Sequence, residues 1–388
     1  MQAPVRLLLA LRPSVAPALL VAVATSTAVF FATPFLLPAV AEEYGISVGR
    51  AGLISTAQLA GFVLASWFGG RFLRPTRKVF VTAAVVGIVA NLSAAAAPTF
   101  ELLLATRVVN GLSLGLTAWF AWQAAFGDAG RTGDVAVVGP LVGVLVAPTV
   151  SLLLESVGLD VLFVVFAAVA ALPLLFVREV DPRPPLAPHH TRHAATRAAT
   201  AILVALGMIT FGGSSVFVYG AAIGQGFNGM TAVAVSIVYS ANSIASIPAA
   251  RWFGRRGPAG IWFLGTAACA VVIGASREPI VFSIALIAWG FVFFMGIPAV
   301  FGLLASRSNF PEERAGDAQA VMALGRVFGP ILGGAFIAAG EVEALGLVAA
   351  SIIVAAAALL LYVDRERFVA QRQWVRIAAS RLRSVRSA

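Results

Sequence analysis

The sequence predicts an all-α integral membrane protein whose twelve transmembrane helices form two pseudo-symmetric six-helix bundles. Three observations lead there. First, 60% of the 388 residues are hydrophobic and 11% charged, with a mean hydropathy of +0.94; a soluble domain is about 45–50% apolar and about 25% charged. Second, the apolar residues gather in runs of about 20, the length that crosses the hydrocarbon core of a bilayer as a helix. Third, short motifs of the first half return in order in the second. This composition excludes a soluble enzyme, a disordered chain and a disulfide-built secreted domain, and the single Cys269 has no partner for an internal bridge. The net charge of +10 sits in short gaps between apolar runs, which fits a bilayer surface better than a nucleic-acid face.

Six runs fall in the first half, at 15–40, 51–70, 78–97, 101–124, 135–155 and 159–177. Six more fall in the second, at 200–223, 231–250, 259–276, 279–305, 316–339 and 343–363. Pro34, Pro148 and Pro298 lie inside runs, which membrane helices tolerate because neighbouring groups satisfy the freed carbonyls. A β-barrel would show segments of about ten residues with alternating polarity, and none is present. The runs divide the chain into a first bundle, 1–178, a linker, 179–199, a second bundle, 200–363, and a basic tail, 364–388. In the tail, Phe368, Val375, Ala378, Leu382 and Val385 recur at helical spacings between arginines. That pattern reads either as an amphipathic helix on an anionic leaflet or as a solvated basic tail.

Arginines set the orientation. With the N-terminus inside, Arg71, Arg74, Arg77, Lys78, Arg178, Arg251, Arg255, Arg256, Arg307 and Arg314 fall in inner segments, while the outer loops hold only Arg50 and Arg277. The apolar run before Arg12 is short and no small-residue cleavage site precedes the first span, so this stretch does not read as a signal peptide. The halves repeat each other at nearly constant offset. Trp67-Phe68-Gly69-Gly70-Arg71 returns as Trp252-Phe253-Gly254-Arg255-Arg256, and Arg131-Thr132-Gly133-Asp134 as Arg314-Ala315-Gly316-Asp317. Gly139-Pro140-Leu141-Val142-Gly143 returns as Gly329-Pro330-Ile331-Leu332-Gly333. Two six-helix repeats about a linker form the plan of a carrier with a central site between its halves.

The chemistry of catalysis is missing. No nucleophile stands beside a base within a span, and no glycine loop cradles phosphate. His189, His190 and His193 cluster only in the Pro-flanked linker, with no second shell for a metal. The chain is therefore expected to be no enzyme and to carry no catalytic residue, no cofactor and no metal. Ionisable groups inside spans cost about 2.5–3.5 kcal/mol at the helix centre and point to function. Arg326 lies about ten residues into the eleventh span, and Arg107 about two turns into the fourth. The structural alternative for Arg326 is bonding to carbonyls of a broken neighbouring helix. The acids sit at helix ends: Glu42, Glu43, Glu101 and Glu155 outside, Asp128, Asp134 and Asp317 inside. Arg107 and Glu155 are the candidates for ion coupling. Glu155 is the acid nearest hydrophobic surroundings, where desolvation would raise its pKa; plain hydration is the alternative.

Four segments carry a family resemblance. They are Leu37-Pro38-Ala39-Val40-Ala41-Glu42-Glu43-Tyr44-Gly45-Ile46-Ser47, the loop from Gly69 to Lys78, Arg107 with Gly111 and Gly115, and Gly139-Pro140 with Gly143. Together they resemble the major facilitator superfamily over essentially the whole chain, and within it the bacterial drug and metabolite efflux branch. The loop is similar to the pattern G-x-x-x-D-R-x-G-R-R/K at Gly69, Arg74, Arg77 and Lys78. Leu73 stands at its Asp position and Thr76 at its second Gly. The resemblance implies gating roles for Gly69, Arg74, Arg77, Lys78, Asp128, Arg131, Asp134, Arg314 and Asp317. Asp317 is expected to pair with Arg74 or Arg71 in place of the missing Asp, or else to cap its own helix.

The resemblance also implies that spans 1, 4, 7 and 10 line a central cavity. Carried onto this chain, the lining comprises Thr27 and Phe31, then Asn110, Ser113, Thr117 and Phe120, then Phe211 and Ser215, then Trp289 and Phe293. Tyr239 and Asn242 of span 8 and Arg326 join them. This mix suits a moderately apolar solute, although each residue also fits plain helix packing. The implied function is a monomeric secondary transporter that exports a small, moderately apolar organic compound by alternating access, with protons as the coupling ion. Two alternatives stand beside it: uptake or exchange of an organic anion bound by Arg326 and Arg107, and a receptor that does not transport. Exporters of this branch often carry an acid in span 1, whereas the stretch around Val29 is apolar. Expected partners are the small-molecule substrate, protons and anionic lipids at the cytoplasmic face, with no nucleic acid. The expected location is the bacterial inner (plasma) membrane, with both termini cytoplasmic.

Overall fold

A computed structural model of the chain describes residues 15–125, 129–180, 193–250, 252 and 256–386. Helix α1 is Pro17–Glu43, α2 Leu53–Phe72, α3 Arg77–Ala95 and α4 Phe100–Ala125. The stretch Ala129–Ala171 is interrupted at Gly158, whose φ of 83° suits glycine and few other residues. It therefore comprises two antiparallel spans, α5 (129–157) and α6 (159–171), and tighter turns, Leu172–Glu179, continue α6. In the second half α7 is Arg197–Phe217, prolonged by the short helix Gly220–Gly226. Then come α8 Ala232–Ala250, α9 Ala259–Ala275, α10 Pro279–Ser306, α11 Pro311–Ala338 and α12 Val342–Arg386. All twelve spans read from hydropathy are present, and α12 runs on without a break through the basic tail to Arg386.

Local chemistry marks the starts of these helices. The hydroxyls of Thr76 and Thr196 accept from the amides of Val79 (3.3 Å) and Ala199 (3.0 Å), capping α3 and α7. Proline opens α1, α10 and α11, where its missing N–H has no partner to lose. The helices alternate in direction, so the arginine-rich connections share one end of the molecule, here the basic end; the opposite end is the far end.

Small residues then decide the packing. Gly111 and Gly115 of α4 lie against Gln58 and Phe62 of α2 so closely that a Cβ would collide. Gly290 of α10 meets Asn242 of α8 in the same manner, at the equivalent place in the second bundle. Gly143 of α5 lies on Phe31 of α1, and its repeat counterpart Gly333 of α11 lies on Ser215 and Tyr219. The motif repeat is thus a repeat of helix contacts.

The halves meet along two seams, α2 against α11 and α5 against α8. Hydrogen bonds and a ring contact are among the contacts that join them. Thr56 donates to the Val327 carbonyl at 3.0 Å, and Ser240 to that of Val144 at 2.7 Å. The Tyr219 hydroxyl reaches Gly49 O at 3.2 Å, and the rings of Phe35 and Tyr239 meet edge to face at 5.2 Å. These contacts seal the molecule from its middle to the far end.

Candidate functional site

The faces of α11 locate the space between the halves. Gly325, Gly329 and Gly333 pack on α7, while Leu324, Phe328 and Ile331 are exposed on the outer side. Val327 and Gly334 meet α2 and the Gly49 turn. The remaining face carries Gln319, Ala323, Arg326 and Pro330 at helical steps. Gln319 and Arg326 are exposed and Pro330 is buried, so this face borders an opening that closes just beyond Arg326. On the opposite wall, Leu20, Ala24, Thr27 and Phe31 of α1 form a half-buried stripe, and the next residue in register, Phe35, is buried. Both stripes end at one level, and the cavity opens toward the basic end.

Aromatic side chains make its roof. Tyr239 lies between Phe35 and Phe217, whose ring is 5.1 Å away, and donates its hydroxyl to the Phe217 carbonyl at 2.7 Å. Phe217 in turn faces Trp289 at 6.2 Å. A Cβ on Gly213 would lie 3.4 Å from the Trp289 ring, an ordinary van der Waals contact, which places α7 beside α10 at this level. The family resemblance marks Tyr239 and Trp289 as candidates and passes over Phe35 and Phe217, whose place in the roof shows only in three dimensions.

Other expected lining residues lie elsewhere. Ser113 donates to the Ala83 carbonyl of α3 at 2.7 Å, Thr117 to Ser113 O of its own helix at 3.1 Å, and Phe120 packs edge-on to Phe80 of α3 at 5.3 Å. With the fully buried Asn110, this face of α4 closes inside the first bundle instead of lining the cavity. Its hydroxyls find carbonyls within reach, so a polar stripe at helical spacing here reflects packing. Phe211 turns to an outer groove of about 460 Å³ between α7 and α11. Ser215 donates to Gly212 O of its own helix at 2.7 Å, and Asn242 to Leu286 O of α10 at 2.6 Å. Phe293 meets Phe263 of α9 edge to face at 6.2 Å. Thr27, Phe31 and Arg326 remain at the cavity wall, with Tyr239 and Trp289 in its roof.

Arg107 is fully buried in the first bundle. It donates to Asn91 Oδ1 at 2.9 Å and stands 4.7 Å over the Phe163 ring. That places it among α3 and α6, away from Arg326, so the two arginines do not share one anion site. Glu155 is exposed at the far end of α5.

At the basic end, Gly69 packs on Trp119 of α4, Arg74 and Lys78 are exposed, and Arg77 donates to the Arg178 carbonyl at 2.9 Å. Asp317 forms an ion pair at 2.8 Å with Arg314 of its own helix; the side chain of Arg71, one of its two expected partners, lies outside the described residues. Arg314 also bonds Glu313 at 2.7 Å and the His193 carbonyl at 2.7 Å. His193 bonds Glu313 at 3.0 Å and stacks on Phe310 at 3.7 Å. The His193 bond, reinforced by the His193 amide and Arg314, holds the Glu313 carboxyl below the usual carboxylate range. No sequence signal links residues so far apart. Arg131 and Asp134 lie in the opening turns of α5; Asp128, His189 and His190 lie outside the described residues.

The family model described as Major Facilitator Superfamily matches residues 18–325. No curated protein matches the sequence. Several solved structures share the fold. The human organic anion transporter MFSD10 (TETRAN) aligns with a TM-score of 0.69 at 15% identity, over 90% of this chain and 100% of that one. The nucleoside transporter NupG aligns at 0.66 and 15% identity, over 89% and 98%. A bacterial homolog of the human lysosomal transporter Spinster, inward-facing and occupied, aligns at 0.65 and 15% identity, over 96% and 97%.

Proposed function

Because the chain belongs to the major facilitator superfamily, we propose that it is a secondary transporter of a small organic anion, with Arg326 as the anion's partner. The exposure of Arg326 on the cavity face of α11 carries this reading. A guanidinium presents a planar fork that matches a carboxylate or phosphate in a bidentate pair. No carboxylate lies at mid-depth in a span to compete for it. Thr27, Phe31 and the roof of Phe217, Tyr239 and Trp289 suit an aromatic or aliphatic body attached to that anion. With the basic end cytoplasmic, the cavity faces inward in a bacterial plasma membrane.

The same absence of a mid-depth acid argues against a proton-carrying carboxylate. Export needs none when the cargo is an anion. A potential negative inside supplies about 2.3 kcal/mol per charge per 100 mV toward the outside. Uniport of an organic anion therefore suffices for efflux.

Counterflow in proteoliposomes tests this, using aromatic carboxylates, amines and neutral compounds of matched size. The carboxylates are expected to exchange, Arg326→Gln to abolish exchange without loss of folding, and Arg326→Lys to restore part of it. Exchange of amines with exclusion of carboxylates would overturn the reading.

A further inference from the structure

The loop between α2 and α3 bears cations that the cavity does not use. Arg74 and Lys78 are exposed, and among the described residues neither forms an ion pair. Arg77 and Lys78 stand in the first turn of α3, where the helix dipole favours an anion, and that turn contains no acid. Leu73, in the same loop, contributes no charge to balance them.

Beside these cations the first bundle has an apolar groove on its outer side. Leu73, Val79, Val86, Leu112 and Leu116 line about 310 Å³ between α3 and α4, with Lys78 also in the lining. From Lys78 to Val86 the groove extends about 12 Å along α3, at 1.5 Å per residue. Ser113, the wall's buried hydroxyl, is already bonded to Ala83 O, and Thr82 adds one exposed hydroxyl to an otherwise apolar wall. The outer groove between α7 and α11, lined by Val204, Met208, Leu324 and Phe328 among others, contains no charged residue. An apolar slot with cations at one end complements a molecule with an apolar chain and an anionic head.

We propose that the α3–α4 groove holds one acyl chain of an anionic phospholipid whose phosphate rests on Lys78 and Arg74. The lipid supplies the negative charge that the loop lacks. Each basic residue at this level strengthens the attraction roughly fivefold.

Photo-crosslinking of the full-length protein in mixed bilayers tests the assignment. Phosphatidylglycerol and phosphatidylcholine, each with a diazirine in one acyl chain, are compared by mass spectrometry of the labelled segments. Phosphatidylglycerol is expected to label the Val86 and Leu112–Leu116 segments at least fivefold more than phosphatidylcholine. Labelling around Met208 and Phe328 is expected to be indifferent to the headgroup. Arg74→Gln with Lys78→Gln should remove the preference at α3–α4 alone, and Lys78→Arg should keep it. An unchanged size-exclusion profile and melting temperature establish that the variants are folded. Val86→Trp, which fills the groove, should lower labelling by both lipids. Soluble glycerol phosphate should not compete. Equal labelling by both headgroups, a preference that survives the double substitution, or full competition by glycerol phosphate would each overturn the proposal.

Discussion

The hydroxyl of Tyr219 lies 3.2 Å from the carbonyl oxygen of Gly49 in the other half and 2.8 Å from that of Pro330. One buried side chain thus ties the turn after α1 to α7 and α11. Gly49 and Gly334 make room for it, since a Cβ on either would strike the facing half.

Tyr219→Phe removes this link while keeping the ring. A net hydrogen bond is worth about 0.5–1.5 kcal/mol, so the population open at the far end should rise roughly twofold to tenfold. Spin labels at Glu43 and Glu341, both exposed at the far end, should show a larger share of long distances. An unaltered distribution would remove Tyr219 from the gate.

The electrical reading of transport is directly measurable. For a monovalent anion, 100 mV corresponds to about 2.3 kcal/mol, or roughly a fiftyfold gradient at equilibrium. Proteoliposomes with an imposed potassium potential should expel the anion from the negative side. Flux that follows a pH gradient and ignores the potential would contradict it.

Arg107 invites the opposite kind of substitution. Its guanidinium is buried with Asn91 and Phe163 as its neighbours, and its Nε and Nη1 atoms have no hydrogen-bond partner. Among the described residues no opposite charge stands beside this guanidinium to offset its desolvation, so an apolar chain of similar length removes a buried charge that is not compensated. Arg107→Met is therefore expected to keep or raise the melting temperature. A fall of several degrees would show that the guanidinium stabilises the bundle.

The linker clasp should respond to acid. The folded-state pKa of Glu313 is depressed, chiefly by its bond to His193. Its contribution is thus fully present above the unfolded value, about 4.3, and is lost as pH falls through the lower folded value. Melting temperatures of parent and Glu313→Gln should differ at neutral pH and converge at the acid end. A constant difference across that range would refute the linkage.

Hydropathy alone locates the twelve spans, because run length and the bilayer impose the same measure. It even separates α5 from α6 at Gly158, where the helical backbone changes direction. The repeat of Gly139–Gly143 in Gly329–Gly333 anticipates equivalent contacts for α5 and α11. The faces are harder to read. Ser113, Thr117 and Phe120 have the spacing of a lining, yet they pack on α3 and their own helix. Spacing identifies a stripe, and only the neighbouring helix decides what the stripe touches. Pairs such as Tyr219 with Gly49, or His193 with Glu313, depend on loops closing over long separations and leave no periodic trace.

The seams between the halves have one more consequence. Thr56 to Val327, Ser240 to Val144 and Tyr219 to Gly49 are all hydroxyl–carbonyl bonds, and Phe35 to Tyr239 is a ring contact. None of these four contacts pairs opposite charges. Debye screening, which weakens exposed ion pairs as salt is added, therefore has nothing to act on at these positions, and the far-end closure should hold equally in dilute and concentrated electrolyte.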